Sequence, residues 1–355
     1  MNRKLQVSSS PHTRSPISTR TIMLLVAVAL MPACIVGVLC FGEHALLILL
    51  LSTASAVAAE YAYEKLLHKP VTVRDFSAVV TGLLIGMNMP PKIAWWIPCL
   101  GSVFAIVVIK QLYGGLGQNF MNPALGARCF LLISFAAQMT DPSVGKGLIP
   151  LIREVPGAPD ALSGATPLAY LKTGTTFNLK ALFLGNTVGG IGETSAAALL
   201  AGGIFLLVLG IIRIRIPGAY IGTFAVLTLI TSLLRGYDAP LLYTVEQLCA
   251  GGLMLGAWFM ATDYVTSPIT AKGQIIFGVL LGVLTWVFRM IGTATEGISY
   301  AIIFCNLLVP MIEHYTRPVA AGVARQSREA RRLEREKARE ARRLKAADRK
   351  EKAES

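Results

Sequence analysis

From Thr21 to Phe41 the chain runs 21 residues without a charged side chain. A helix needs roughly 20 apolar residues to cross the hydrocarbon core of a bilayer. In lipid, every backbone polar group must be satisfied inside the protein, so only helices and closed barrels can span. The pattern recurs along the chain and predicts ten helices, at roughly 21–42, 44–66, 76–90, 93–110, 122–139, 195–212, 218–234, 243–261, 274–291 and 298–315. Only 15% of the 355 residues are charged, against about 25% in soluble domains. The expected fold class is therefore an all-α polytopic membrane protein. The first run has no small-residue cleavage site behind it and further spans follow, so it reads as a retained helix rather than a cleavable signal.

Charge orients these helices. With Arg3, Lys4, Arg14 and Arg20 in the cytoplasm, Lys65, Lys69, Arg74, Lys110, Arg213, Arg215 and Lys272 fall on the same side, while Lys92, Arg235 and Arg289 take the short loops opposite. This is the positive-inside bias, and it places both termini in the cytoplasm. The one long loop is then extracytoplasmic. The expected organisation is a cytoplasmic segment at 1–20, a first transmembrane half at 21–139, the loop at 140–194, a second half at 195–315 and a basic cytoplasmic tail at 316–355. The tail holds 14 Lys/Arg and 7 Asp/Glu, a net +7 of the chain's +13. Its opposite charges at helical spacing, such as Arg332 and Glu336, suit a solvated helix or an extension, with anionic lipid headgroups as the next partner. A pI of 9.6 thus describes an appendage, and no nucleic-acid partner is expected.

Five spans on each side of the loop imply two inverted halves, if the halves are related. A short echo supports this: T-G-L-L-I-G at Thr81–Gly86 and G-G-L-M-L-G at Gly251–Gly256. Each contains G-x-x-x-G, which also serves plain helix packing. Each is followed by an interruption, M-N-M-P-P (Met87–Pro91) and F-M-A-T-D-Y-V-T-S-P (Phe259–Pro268). Broken helices in matching positions point to a site near the membrane middle.

Four groups of residues could carry chemistry. In D-A-L-S-G-A-T-P-L-A-Y-L-K (Asp160–Lys172), Thr166 is a suitable N-cap and Pro167 suits the first helical position. A phosphate there would meet a helix N-terminus, and Ser163, Gly164 and Ala165 leave the hydroxyl uncrowded. G-N-T-V-G-G-I-G-E-T-S (Gly185–Ser195), containing Gly190, Glu193 and Thr194, reads either as a flexible connection ending in a Thr/Ser cap or as backbone approaching a bulky ligand. No strand precedes it, so it is not a dinucleotide fingerprint. Among ionisable residues near spans, Lys110 can snorkel, and Glu60 and Asp263 lie near the inner boundary. Arg128, behind N-P-A-L-G-A, is the one suited to neutralise an anionic cofactor or pair with a helix end. The six scattered cysteines read as small core residues, and no metal site is expected.

Taken together, V-S-S-S-P-H (Val7–His12), N-P-A (Asn122–Ala124), S-G-A-T-P-L-A (Ser163–Ala169), G-G-I-G-E-T-S (Gly189–Ser195) and M-A-T-D-Y-V-T-S-P (Met260–Pro268) resemble, in order and spacing, the RnfD family. That family is the D component of the Rnf electron-transport complex, a relative of the B component of the sodium-pumping NADH:quinone reductase. The resemblance covers roughly residues 5–316 and leaves the tail out. It implies ten transmembrane helices in two inverted halves and FMN held by a phosphoester on Thr166. The FMN would be installed from FAD by a separate flavin transferase, with Ser163, Gly164 and Ala165 as its recognition context. It further implies a second, non-covalent flavin (riboflavin), partner Rnf subunits, a bacterial cytoplasmic membrane, and electron transfer between ferredoxin and NAD coupled to Na⁺ or H⁺ export. The competing readings are a stand-alone channel or permease on the same scaffold, and a purely structural assembly subunit.

Overall fold

The computed structural model describes residues 17–141, 147–149, 166–292 and 297–318. The chain divides into two compact units, residues 1–315 and 316–355, and the membrane helices belong to the first. Helix α1 (Thr19–Phe41) opens at Ser18, whose Oγ accepts from the Thr21 N–H. A tight turn at Gly42, φ 84°, leads into α2 (Glu43–Leu66). Then come α3 (Ser77–Met87), an irregular stretch, and α4 (Trp96–Phe104), which loosens into a π-helix over Ala105–Gln111. Asn122 caps α5 (Pro123–Ser134) by accepting from the Ala124 N–H.

Two short helices, α6 (Pro167–Lys172) and α7 (Leu179–Leu184), precede α8 (Ala196–Val208) and α9 (Arg215–Leu234). Next comes α10 (Pro240–Cys249), then a break, a single turn at Leu253–Leu255 and a second π-helix at Gly256–Met260. Helices α11 (Ala271–Met290) and α12 (Ile298–Thr316) complete the membrane part. Helices α1, α2, α9, α11 and α12 are each long and apolar enough to cross a membrane, and α3, α5 and α8 are shorter apolar helices. The chain is a multi-pass membrane protein.

Helix α2 packs along α3 and α4, and α9 packs along α10 and α11. The two G-x-x-x-G motifs do different work. In the first half, Gly82 lets α3 lie directly on α2; a β-carbon there would stand 2.6 Å from the Thr53 Cα. In the second, the glycines are the break itself. Gly251 has φ 65°, a left-handed conformation that side chains disfavour, and Ala250 before it is extended. The expected interruption at Phe259–Pro268 therefore has an earlier counterpart inside the predicted helix 243–261, at Ala250–Gly252.

Two cations differ from expectation. Lys110 does not snorkel. The π-turn carries it inward, where it is 2% exposed and donates to Glu60 Oε1 at 2.5 Å and Ser77 Oγ at 2.6 Å. Arg289 is no loop residue. It lies in the last turn of α11, is 2% exposed, and donates to the carbonyls of Gln247 (2.7 Å) and Ala250 (2.9 Å), with its guanidinium over the Phe224 ring. In each half a cation late in the fourth helix reaches the interrupted third helix. Burying charge is costly in a membrane, so such groups pair inward.

Candidate functional site

Thr166 stands at the start of α6 with an extended backbone (φ −68°, ψ 151°) and Pro167 in the first helical position, as the sequence predicts. Its side chain, however, makes no capping hydrogen bond. Pro167 has no N–H to offer, and the N–H of Ala169 is already taken by the Thr166 carbonyl at 2.9 Å. The hydroxyl is not used for capping. A six-residue helix is also too short for the aligned dipole that the sequence argument invoked. Helix α6 is held by burial of Leu168, Tyr170 and Leu171, by Tyr243 Oη donating to the Leu171 carbonyl, and by Lys172 Nζ donating to the Gly292 carbonyl. Burial, and then the charge of Arg289, push the Lys172 amine below the usual lysine range.

The glycine-rich stretch 185–195 is not a flexible surface connection. Thr187, Val188, Ile191, Glu193, Thr194 and Ser195 are all buried. The stretch is laced to the first-half break by Ile191 N–H to Met89 O (3.1 Å) and Gly192 N–H to Met87 O (2.8 Å). Its end is the expected cap: Ser195 Oγ accepts from the Ala198 N–H at the start of α8. The glycines permit this close approach, since a β-carbon at Gly192 would collide with the Met87 side chain.

Arg128, 7% exposed, donates from Nη1 to Glu193 Oε1 at 2.6 Å and to Asn88 Oδ1. Glu193 in turn lies against the second break, where a β-carbon on Gly252 would be 2.7 Å from Oε1. The two breaks and the buried loop thus meet at one ion pair. Asn122 adds a further tie between the halves, from Nδ2 to the Met260 carbonyl at 3.3 Å.

Thr166, Thr187, Gly189, Glu193, Thr194 and Gly251 line a common small cavity of about 20 Å³. Gly190 packs beside it on the Glu193 side chain; a β-carbon there would be 3.2 Å from Glu193 Cδ. Of the sequence candidates, Thr166, Glu193 and Thr194 are brought together and Arg128 joins through Glu193. Ser163, Gly164 and Ala165 lie outside the described residues, as do Val7–His12 and the tail beyond residue 318. Asn88 and Gly252 were not among the candidates. Their signal was present in M-N-M-P-P, read as a break, and in G-G-L-M-L-G, read as a helix echo, neither as a ligand of the loop. A second cleft, of about 80 Å³, is lined by Lys110, Asn119, Asn122, Trp258 and Asp263 among others. The Trp258 indole N–H, which has no hydrogen-bond partner among the described residues, belongs to the same wall.

Two interrupted helices enclosing a buried polar loop define a class: multi-pass helical membrane proteins with a site built from broken helices. The chain belongs to the NQR2, RnfD, RnfE family, whose model matches residues 6–322. It is 47% identical over 332 residues to the D subunit of the Na(+)-translocating ferredoxin:NAD(+) oxidoreductase complex of Acetobacterium woodii, covering 92% of this chain and 98% of that protein. It is 40% identical over 334 residues to the D subunit of the proton-translocating ferredoxin:NAD(+) oxidoreductase complex of Clostridium ljungdahlii, covering 90% and 96%. The D subunit of the ion-translocating oxidoreductase complex of Erwinia tasmaniensis matches at 36% over 347 residues, covering 89% and 98%.

Proposed function

We propose that the chain is the membrane flavoprotein subunit of an Rnf-type ferredoxin:NAD oxidoreductase that translocates Na⁺ or H⁺, with FMN esterified through its phosphate to Thr166. The observation that carries this reading is the Thr166 hydroxyl. It is spared from helix capping and lines the same cavity as the glycine-rich loop. The residues suit the attachment: Thr166 offers an uncapped hydroxyl for the ester, with Thr187, Gly189 and Gly251 beside it. Once attached, FMN supplies electron transfer, and the protein sets its position and potential. Thr166 anchors, Thr187 and Thr194 offer hydroxyls, and the packed α6 keeps the anchor from drifting.

The names of the relatives support the place in the complex. The same reading includes partner Rnf subunits, a flavin transferase acting from FAD, surrounding lipid, and a bacterial inner membrane with both termini cytoplasmic and the α6 segment extracytoplasmic. It extends to a non-covalent riboflavin. The test is peptide mapping of the natively produced protein. A gain of one FMN minus water on the Thr166 peptide is expected. An unmodified peptide from a complex active in ferredoxin:NAD turnover defeats the reading.

A further inference from the structure

Glu246 is a buried acid without a counter-charge. Its side chain is 0% exposed and lies in the last turn of α10, one turn before the second break. Oε2 accepts from the Phe177 N–H at 3.0 Å, while Oε1 has no hydrogen-bond partner among the described residues. The buried acids Glu60 and Glu193 each meet a cation, at 2.5 and 2.6 Å, and Glu246 does not.

The charged groups around α10 have other addresses. Lys172 of α6 donates to the Gly292 carbonyl, Arg289 to those of Gln247 and Ala250, and Arg235 to Tyr237 Oη. Lys180 of α7 and Asp238, ahead of α10, are exposed. Glu193 is held by Arg128, and Arg215 and Tyr220 belong to the far end of α9. Tyr243 donates to the Leu171 carbonyl, Tyr170 packs on the Phe177 ring, and Cys249 closes α10. A dry carboxylate with no cation is far more costly than a carboxylic acid whose hydroxyl lacks an acceptor. The acid form also keeps a C=O for the Phe177 N–H.

We infer that Glu246 is a proton-binding site: it carries a proton in the folded protein and, by giving that proton to water, frees the α6–α7 connection from α10. This connection, residues 173–178, runs directly on from α6. Phe177 is buried in it, with its ring 6.0 Å from that of Tyr170 in α6. The ionised carboxylate is stable only where water reaches it, and that requires Phe177 to lift off. Ionisation moves one proton and no electron, so the inference is independent of the FMN reading.

The experiment uses the purified intact complex, with Glu246→Gln and Glu246→Met as variants. Glutamine keeps the shape and the acceptor for Phe177; methionine, apolar and of similar size, serves if the amide does not fold. Infrared difference spectra, parent minus variant, are taken at about pH 6, where an ordinary glutamate with a pKa of about 4.3 is ionised. A protonated-carboxyl C=O band is expected from the parent and from neither variant. The unfolded chain has lost this proton and the folded one keeps it, so raising the pH favours unfolding of the parent more than of the variants. The parent's thermal midpoint should therefore fall by several degrees relative to theirs between about pH 5 and about pH 8. Hydrogen exchange at residues 173–178, with its intrinsic pH dependence divided out, should quicken in the parent by up to about tenfold per pH unit, the limit for one proton. It should stay flat in Glu246→Gln. A folded variant whose difference spectrum holds only carboxylate bands overturns the proton site. A C=O band accompanied by pH-independent exchange at 173–178 overturns its coupling to the connection.

Discussion

Lys110 Nζ lies 2.5 Å from Glu60 Oε1, with both side chains at or below 3% exposure. Gln111 Nε2 adds a second donor to the same oxygen at 3.0 Å, while Glu60 Oε2 has no hydrogen-bond partner among the described residues. A pair so dry is costly to break from one side. Removing one partner of a buried ion pair typically costs about 3–5 kcal/mol, far more than replacing both. Lys110→Met should therefore lower the thermal midpoint of the purified complex markedly, and Lys110→Met/Glu60→Gln should recover much of the loss. Equal destabilisation by the single and double variants would show that the pair is not the unit of stability.

Arg289 serves the second half by donating to backbone carbonyls. Its two carbonyl partners, Gln247 and Ala250, flank the point where α10 stops. Arg289→Leu should strand both and cost roughly 2–4 kcal/mol, at about 1–3 kcal/mol for each buried group left unsatisfied. Arg289→Lys should restore only part, since one ammonium cannot reproduce the planar fork. Thermal denaturation in detergent distinguishes them; a lysine variant as stable as the parent would refute the two-carbonyl geometry.

At Thr166 the side chain and the helix can be separated. Replacing a capping threonine by alanine ordinarily costs about 1 kcal/mol. Because this side chain caps nothing, Thr166→Ala should leave the thermal midpoint of flavin-free protein nearly unchanged while abolishing in-gel flavin fluorescence. Bright fluorescence from the alanine variant would exclude the attachment.

Gly252 and Gly222 make a matched pair. An added methyl at Gly252 meets Glu193 Oε1 at 2.7 Å, whereas at Gly222, within α9, nothing stands within 4 Å. Gly252→Ala should destabilise by about 1–3 kcal/mol through forced displacement of a packed group. Gly222→Ala should be neutral or slightly stabilising, as alanine is the better helix former. Thermal midpoints of the two variants, read side by side, test whether Gly252 touches the ion pair.

The sequence carried the spans because bilayer thickness dictates their length, and it carried the interruptions because proline and glycine announce them locally. It placed the interruption at Phe259–Pro268, where the helix does end at Met260, but gave no sign of the earlier one at Ala250–Gly252. The left-handed turn at Gly251 sits inside an apolar stretch that periodicity alone reads as continuous helix. For the glycine-rich loop it gave the Ser195 cap but left open whether the loop is a flexible connection, because the Met87 and Met89 carbonyls that hold it lie about a hundred residues away.

By itself, then, the sequence determined that this is a helical membrane protein with two interrupted halves, and it singled out Thr166 by the chemistry of its neighbours. Only the tertiary structure decided where the charges go. Lys110 could have snorkelled, Arg289 could have faced a loop, and Arg128 could have met a helix end. Partners 39 to 65 residues away, as for Arg289 and Arg128, leave no periodic trace in the chain. Burial makes such pairings obligatory, but which pairs form is settled by which helices happen to meet.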